Sequence, residues 1–463
     1  MQDSDYIGRT YEPFALQVGP EMLYIVTAPK DVAEVYKKAE FLGWDGHLNQ
    51  IFLNFGFNAE SLKRAWLKPI DASPCYRTVN PHQLSLIRLI ESIYAKQLLP
   101  GAHMDEISEG FVAALHAALR LPNLKVCSVR ANTHSKTLSL LTLCQYTLLE
   151  AGIHSFFGKT IMEIDENIIS NLLAFTENAW MLFYGLPSFF ASAVLNPQSA
   201  VLATFQQFAD LPESLRNDQS WSVQQILIAQ ECVGIDLRSR ACMLLMILWA
   251  ANSNVNNAAF WVLAHILFDE QLRKAVKQEV NAAWESEHLD VKFLCANAKV
   301  LDRTFHECLR LKAGAMMGRK VLAPTRIGNK MLKPGGTVLI PSRQLHSNAN
   351  VWGANHQDFA EARFAKNEGL LKHSSYRPFG GGVSLCPGRK IARQQVFAFV
   401  AILIHRFDVK LNQDIRQEFP KLNVSTPALG VTGPAKGMDI FVELSHVEKA
   451  PDPRGQGVAD SVD

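Results

Sequence analysis

Runs of apolar residues at helical spacing account for most of this sequence. Residues 241–251 are apolar on every side, which predicts a buried stretch within a helical segment over residues 239–280. That segment is expected to be one long helix, or two helices with a break near Phe268-Asp269. Alternation around Gly19-Pro20 predicts a hairpin followed by a helix within residues 8–36. Further helical patterns cover residues 81–98, 105–119, 135–152 and 389–405.

No linker, repeat or low-complexity block divides the chain. Residues 38–79 have weak periodicity and are interpreted as loops with short helices. We therefore expect one mainly α-helical domain with small β-sheets over residues 1–447. The polar residues 448–463, which include proline and glycine, are expected to form a disordered tail.

The composition excludes few functions. Hydrophobic residues make up 48% of the 463 residues and charged residues 19%, which is ample for a large core. The net charge of +2 and the lack of a basic patch with interleaved aromatic residues give no indication of nucleic-acid binding. The eight cysteines show no paired framework, so free thiols in a reducing compartment are expected.

A polar cluster interrupts the apolar helix. Asparagine occupies positions 252, 254, 256 and 257, with Ser253 among them. Asparagine is a mediocre helix former, and each buried amide needs hydrogen-bond partners. Such a conflict is typical of a functional or strained site. A polar helix face at an interface is the alternative, while the same asparagines and the flanking charges disfavour a transmembrane helix.

Residues 379–389 read FGGGVSLCPGR and place one cysteine, Cys386, between a glycine-rich turn and an apolar helix. Glycine permits the positive φ angles and the close approach that such a turn needs. A thiolate at a helix N-terminus is stabilised by the unpaired N–H groups there. A buried free cysteine after a glycine turn is the alternative that these residues alone leave open.

The loop resembles the haem-thiolate loop of the cytochromes P450, whose pattern F-x-x-G-x-x-x-C-x-G it fits. An E-x-x-R motif and an E-A-R-F segment resembling the family's P-E-R-F precede it in the family's order. The resemblance covers nearly the whole chain and implies a cytochrome P450 fold around a buried haem. It also implies that three charged residues lock the segment behind the haem: Glu307, Arg310 and Arg363.

The resemblance further implies haem b, with Cys386 as the axial ligand of the iron. Arg319 matches a family arginine that pairs with a haem propionate. Ser384 stands where many relatives carry arginine or histidine, so other groups, including Arg377, are candidates for propionate anchoring. The residues expected to contact the cofactor are Cys386, Phe379, Gly380, Gly382, Gly388, Arg319, Arg88, His346 and Ala250.

In most of the family an acid and a threonine in the long helix relay protons to dioxygen. Ser253 and Asn254 stand at those two positions here, and we expect them to be catalytic residues that organise water. This departure is similar to the branch of cholesterol 7α-hydroxylase, sterol 12α-hydroxylase and prostacyclin synthase. Members of that branch either hydroxylate a substrate or rearrange a peroxide without dioxygen.

The expected function is therefore a haem-thiolate monooxygenase acting on a sterol, a terpenoid or a related secondary metabolite. Electrons would come from NADPH through the partner NADPH-cytochrome P450 reductase, because the chain has no flavin domain. The alternatives are a reductase-independent isomerase or dehydratase acting on a peroxide, and a non-catalytic haem protein that binds a ligand. The residues expected to line the substrate pocket are Asn252, Ala313, Ala315, Met316, Met317, Leu429 and Val431.

The N-terminus lacks the run of roughly 20 apolar residues that spans a bilayer. Because eukaryotic relatives usually begin with such an anchor, we expect the full-length protein at the cytosolic face of the endoplasmic reticulum membrane, with the anchor removed here. A soluble, bacterial-style protein is the alternative. Phe189-Phe190, after a helix break at residues 185–187, are interpreted either as an entrance loop that contacts the membrane surface or as ordinary core.

Overall fold

The computed structural model describes residues 11–69, 73–131 and 135–446. The predicted disordered tail lies outside these residues. The helices of the N-terminal half are α1 (Pro29–Lys37), α2 (Asp45–Asn54), α3 (Ala59–Trp66), α4 (Pro74–Val79), α5 (Leu86–Leu98), α6 (Ala102–Ala118), α7 (Leu140–Phe157), α8 (Thr160–Ile164), α9 (Ile168–Asn178), α10 (Trp180–Phe183), α11 (Ser192–Asp210) and α12 (Trp221–Cys232).

The C-terminal half continues with nine further helices among the described residues. They are α13 (Leu237–Asn252), α14 (Val255–Phe268), α15 (Glu270–Asn281), α16 (Val291–Asn297), α17 (Lys299–Lys312), α18 (Ser342–His346), α19 (Ala349–Trp352), α20 (Ala362–Lys366) and α21 (Arg389–Arg406). The expectation of a mainly α-helical protein with small sheets is confirmed.

Small sheets flank the helices. The strands are β1 (Phe14–Val18), β2 (Glu21–Ile25), β3 (Leu42–Gly43), β4 (Ser128–Ala131), β5 (Ser135–Ser139), β6 (Trp284–Glu285), β7 (His288–Leu289), β8 (Met316–Val321), β9 (Thr325–Ile327), β10 (Lys330–Leu332), β11 (Thr337–Pro341), β12 (Phe407–Leu411) and β13 (Phe441–His446). The largest sheet has the order β1-β2-β11-β8-β3, and a second has the order β12-β13-β5-β4. In the largest sheet β2 and β11 run parallel, and its other neighbours run antiparallel.

Most predicted elements are present. The hairpin turns at Gly19-Pro20, since Val18 pairs with Glu21, and α1 follows it. The predicted helix over residues 389–405 is α21. The predicted helix over residues 135–152 is wrong at its start, because residues 135–139 form β5. That strand is hydrogen-bonded to β13 and β4, so partners distant in sequence override the local pattern.

The long helical segment is interrupted twice. A break at Asp269 confirms the prediction of a break near Phe268-Asp269, and the Asp269 side chain caps α15 by accepting from the N–H of Gln271. The second interruption, at Ser253-Asn254, falls within the asparagine cluster. It is shallow, because Ser253 N–H still bonds to Trp249 C=O at 2.9 Å. As expected, residues 241–245 of α13 are buried.

All eight cysteines have free thiols. Among the described residues, none of the helices has both the length and the apolar character that crossing a bilayer requires.

Candidate functional site

The site is built around the loop that carries Cys386, which lies between α20 and α21. Cys386 N–H donates to the carbonyl oxygen of Phe379 at 3.0 Å, which closes the loop. Gly380 and Gly382 have φ angles of 74° and 60°, in the left-handed region that other residues rarely adopt. Gly388 is the N-cap of α21, so the cysteine lies directly before the helix N-terminus, as the sequence predicts.

The sulphur of Cys386 faces the first backbone groups of α21. Burial raises the pKa of the Cys386 thiol, while the N–H groups of Gly388 and Arg389 and the Arg389 guanidinium act in the opposite direction. The Arg389 Nη1 also donates to the carbonyl oxygen of Cys386 at 2.9 Å. The N–H groups are aimed at the charged form and offset part of the effect of burial, so they suit a thiolate that ligates a metal.

Tyr36 of α1 packs against the glycine-rich turn, and sequence reasoning missed it. A Cβ atom at Gly381 would lie 2.9 Å from the Tyr36 ring, and one at Gly382 would lie 3.1 Å from it. These glycines therefore leave room for the ring as well as permitting the turn. The Tyr36 hydroxyl donates to the sulphur of Met317 at 2.8 Å, and burial raises the pKa of Tyr36 to about 12.

Arg319 of β8 is a buried cation beside the cysteine loop. Its side chain is 2% exposed, and none of the ion pairs among the described residues includes it. The guanidinium donates to Ser384 Oγ and to the carbonyl oxygen of Gly381, and it lies over the rings of Tyr36 and Trp44. Burial lowers the pKa of Arg319. A guanidinium buried without a carboxylate is costly, so the site lacks a negative charge that a ligand can supply.

Arg377 provides a second cation near the same tyrosine. Its guanidinium lies 5.9 Å from the Tyr36 ring centroid, and its Nε is buried without a hydrogen-bond partner among the described residues. Together with Arg319, it fits the two propionates of a haem, and Cys386 fits the iron. The donors present are therefore those that a haem-thiolate centre requires.

A buried ion-pair network lies behind the loop. Glu307 accepts from Arg310 at 2.7 and 2.8 Å and from Arg363 Nε at 3.1 Å. The side chains of Glu307 and Arg310 are fully buried, and Arg363 is 9% exposed. Arg310 also donates to the carbonyl oxygens of His346 and His356, so the network fixes the backbone of these segments. The structure brings these three residues together in the structural role that the resemblance implies.

Three further residues were predicted to contact the cofactor, and their environments differ from one another: Arg88, His346 and Ala250. Arg88 is 42% exposed and forms ion pairs with Asp45 at 2.6 Å and Glu91 at 2.8 Å, so its charge is already compensated. His346 is buried, and its Nε2 accepts from the backbone N–H of Arg377 at 3.0 Å. This contact positions Arg377. Ala250 is exposed on the last turns of α13.

The two predicted catalytic residues lie at the interruption between α13 and α14. Asn254 Nδ2 donates to Ser253 Oγ at 3.3 Å, and Asn254 Oδ1 accepts from the N–H of Val431 at 2.7 Å. The Asn254 amide is thus already bonded on both sides. Asn252, predicted to line the pocket, instead packs against Gly152 of α7, where a Cβ atom would lie 1.9 Å from its Oδ1. Its contacts do not support a pocket role.

The other predicted pocket residues occupy two adjoining segments. Ala313 is buried and forms an isolated antiparallel bridge with Val431. Leu429 is partly buried against the core that contains α13, so the turn at residues 427–434 reaches the long helix. Met316 is 46% exposed, whereas the sulphur of Met317 is engaged by Tyr36. Ala315 C=O accepts from the N–H of Ser342 at 3.1 Å.

Comparison with known proteins agrees with this geometry. The sequence profile of the family described as Cytochrome P450 matches residues 218–432. That range contains Cys386 and all three residues of the buried ion-pair network. The chain is 24% identical over 414 residues to the cytochrome P450 monooxygenase poxD of Penicillium oxalicum. The aligned region covers 86% of this chain and 80% of that protein.

Two further relatives come from a mammal and from another fungus. Cholesterol 7-alpha-monooxygenase of Cricetulus griseus is 24% identical over 404 residues, covering 80% of this chain and 78% of that protein. The cytochrome P450 monooxygenase nodJ of Hypoxylon pulicicidum is 28% identical over 204 residues, covering 40% of this chain and 39% of that protein.

Proposed function

We propose that this chain is a cytochrome P450 monooxygenase that oxidises a hydrophobic polycyclic substrate, which is a sterol, a terpenoid or a related secondary metabolite. The match of residues 218–432 to the family described as Cytochrome P450 supports this proposal. The observation that carries the proposal is the Cys386 loop. It combines a sulphur at a helix N-terminus with two neighbouring arginines, Arg319 and Arg377, for which the described part of the chain supplies no carboxylate partner. The similarity to cholesterol 7-alpha-monooxygenase supports the sterol class, and the similarity to fungal monooxygenases supports secondary metabolites.

In this proposal Cys386 holds the haem iron, and Arg319 and Arg377 hold its propionates. When bound, the haem supplies the reductive activation of dioxygen. The chain itself binds and orients the substrate, and it excludes water around the site. Ser253 carries the hydroxyl nearest to the position of the family's proton relay, and Asn254 Nδ2 fixes the orientation of that hydroxyl.

Electrons come from NADPH-cytochrome P450 reductase in this scheme. The basic residues around the cysteine loop would attract an acidic flavoprotein. Lys372 and Lys390 are exposed and available for this role. Arg393 is less available, because it pairs with Asp302 at 2.6 Å.

The exposed aromatic pair Phe189 and Phe190, 75% and 66% exposed, supports contact with a membrane surface. Tyr184, 50% exposed, precedes it in the same segment. The proposal is that this segment contacts the cytosolic face of the endoplasmic reticulum membrane.

A second candidate function is a reductase-independent isomerase or dehydratase acting on a peroxide. It is favoured by the absence of the acid and the threonine at positions 253 and 254, and by the engagement of the Asn254 amide with Val431. A rearrangement that consumes no dioxygen has no need of that proton relay.

Turnover of a sterol and terpenoid panel, with and without NADPH and a reductase, separates the two candidates. Under isotopically labelled dioxygen, we expect NADPH-dependent products that carry one labelled oxygen atom. Products that form without NADPH, at unchanged mass or with loss of water, would support the isomerase or dehydratase instead. Cys386→Ser should abolish the carbon-monoxide difference spectrum of a thiolate-bound haem, whereas Cys308→Ser, at a buried thiol of α17, should keep it.

A further inference from the structure

Three polar side chains on one face of α14 bind the backbone of a single turn. Asn254 Oδ1 accepts from Val431 N–H at 2.7 Å, and Asn257 Nδ2 donates to Val431 C=O at 2.9 Å. One helical turn further, Trp261 Nε1 donates to Thr432 C=O at 2.7 Å. Spacings of three and four residues place these side chains in one row along the helix. Each of the three side chains in this row therefore forms one hydrogen bond with the backbone of residues 431–432.

The backbone groups fix how each asparagine amide is oriented. Only an oxygen can accept from the Val431 N–H, and only an N–H group can donate to the Val431 carbonyl oxygen. Asn254 therefore acts through its carbonyl and Asn257 through its NH₂ group. The two asparagines have opposite roles, so they should respond differently to substitution.

The same turn is held from its other side by the segment that follows α17. Thr432 N–H donates to Lys312 C=O at 2.9 Å, and Gly314 N–H donates to Gly430 C=O at 2.9 Å. Lys312 also places its ammonium group 3.9 Å from the Trp261 ring centroid. Residues 430–432 thus lie between α14 and residues 312–314, with backbone hydrogen bonds on both sides.

Glycine is required where the helix and the turn meet. A Cβ atom at Gly430 would lie 1.8 Å from Asn254 Oδ1, so any other residue would displace the asparagine. At Gly433 a Cβ atom would lie 3.1 Å from Asn257 Oδ1. The close approach of the turn to α14 therefore depends on both partners, the small residues of the turn and the polar residues of the helix.

We propose that Asn254, Asn257 and Trp261 form a clamp that fixes residues 430–432 against α14 and so sets the space available to a bulky ligand. They are positioning residues. The inference rests on the proposed haem site and deepens it, because Leu429 and Val431 on this turn are the expected substrate contacts. It assigns to the asparagine cluster a role in shaping the site, and it leaves Ser253 as the proton-handling group.

Hydrogen exchange tests the clamp without any ligand. In the protein as purified, Asn254→Leu and Asn257→Leu should each accelerate amide exchange in the peptide covering residues 427–434 by about fivefold to tenfold, the size expected for one net hydrogen bond. Asn256→Leu is the matched control. Asn256 is buried on the same helix, but its Oδ1 accepts from the neighbouring Asn257 N–H at 2.8 Å.

Optical titration tests whether the clamp governs ligand size. Imidazole needs only the iron, whereas the bulkier clotrimazole should also need the space that the turn is proposed to bound. The two leucine variants should bind imidazole like the parent protein and clotrimazole about tenfold more weakly, a loss of about 1.4 kcal/mol. Asn254→Asp, which keeps the acceptor for Val431 N–H, should restore most of the clotrimazole affinity.

The two measurements separate failure of the clamp from failure of the haem site. The clamp is wrong if both leucine variants match Asn256→Leu in exchange over residues 427–434 and in clotrimazole affinity. If the parent protein gives no spectral response to imidazole, the proposed haem site fails, and the exchange rates still decide whether the clamp exists.

Discussion

Cys386 differs from the buried Cys144 in what faces its sulphur. Burial raises the pKa of Cys144, and the nearby Asp439 carboxylate raises it further. At Cys386 the effect of burial is opposed by two backbone N–H groups and by the Arg389 guanidinium. Both thiols are shielded from water, but only Cys386 is surrounded by groups that stabilise a thiolate. The groups at the helix N-terminus therefore distinguish Cys386 from Cys144, although burial remains the larger influence on the pKa of Cys386.

Arg319 should be required for haem retention. The guanidinium is buried without a carboxylate among the described residues, so removing its charge takes away a propionate partner. We expect Arg319→Gln to lower the ratio of Soret to protein absorbance at least severalfold after gel filtration. The matched control is Arg326→Gln, at an exposed arginine of β9. Equal haem content in the two variants would contradict the assignment.

At the scale of elements, the ion-pair network of Glu307, Arg310 and Arg363 fastens α17 to the chain around α20. A buried ion pair contributes little net stability when complete, but removing one partner leaves an uncompensated charge. Glu307 also accepts from the backbone N–H of Ala360 at 3.1 Å, so this carboxylate makes two separate contacts with residues 360–363. The network thus holds the residues behind the cysteine loop in one arrangement.

Arg363→Gln should destabilise the protein by about 3–5 kcal/mol, because Glu307 then keeps only part of its compensation in a buried environment. The nearby pair Arg303–Glu361, with side chains 27% and 31% exposed, is the control. Arg303→Gln should cost no more than about 1 kcal/mol, since partly exposed pairs contribute little. Urea unfolding of both variants measures the difference. Similar losses would mean that burial does not distinguish the two pairs.

The pattern of apolar and polar residues predicts those helices whose formation depends on neighbouring residues in the sequence. The apolar helix α21 and the break at Asp269 follow from residue spacing and from a capping side chain. Residues 135–139 were expected to be helical, yet they pair with β13, about 300 residues away, and no local signal reveals that partner. Strand pairing is a long-range property, and this explains the error.

The same limit applies to the candidate site. The motifs locate Cys386 and the ion-pair network because their spacing is short and specific. Tyr36 lies more than 340 positions before the loop against which it packs, and it follows no motif. Asn257 and Trp261 could have been found, because they continue the row of Asn254 along one helix face. The partner of that row, the backbone of residues 431–432, carries no side-chain signal at all.

At the scale of the whole molecule, burial of neutral histidines links folding to pH. Burial, with a smaller contribution from the Lys312 ammonium, lowers the pKa of His265 to about 3. Burial and the charge of Arg310 lower the pKa of His346 to about 3. In the unfolded chain the same imidazoles take up protons near their ordinary value of 6.5. Below that value the unfolded state binds more protons, so acid favours unfolding.

The free energy of unfolding should therefore fall as the pH drops from about 7 to 5, by up to about 1.4 kcal/mol per pH unit for each buried histidine. His265→Phe should reduce this slope, because the ring stacked 3.6 Å from Phe359 would no longer titrate. His82→Gln, at an exposed histidine, is the control and should keep the slope of the parent protein. Urea unfolding at several pH values measures all three slopes. If His265→Phe and the parent protein have the same slope, His265 takes up its proton without unfolding, and the pH dependence comes from other groups.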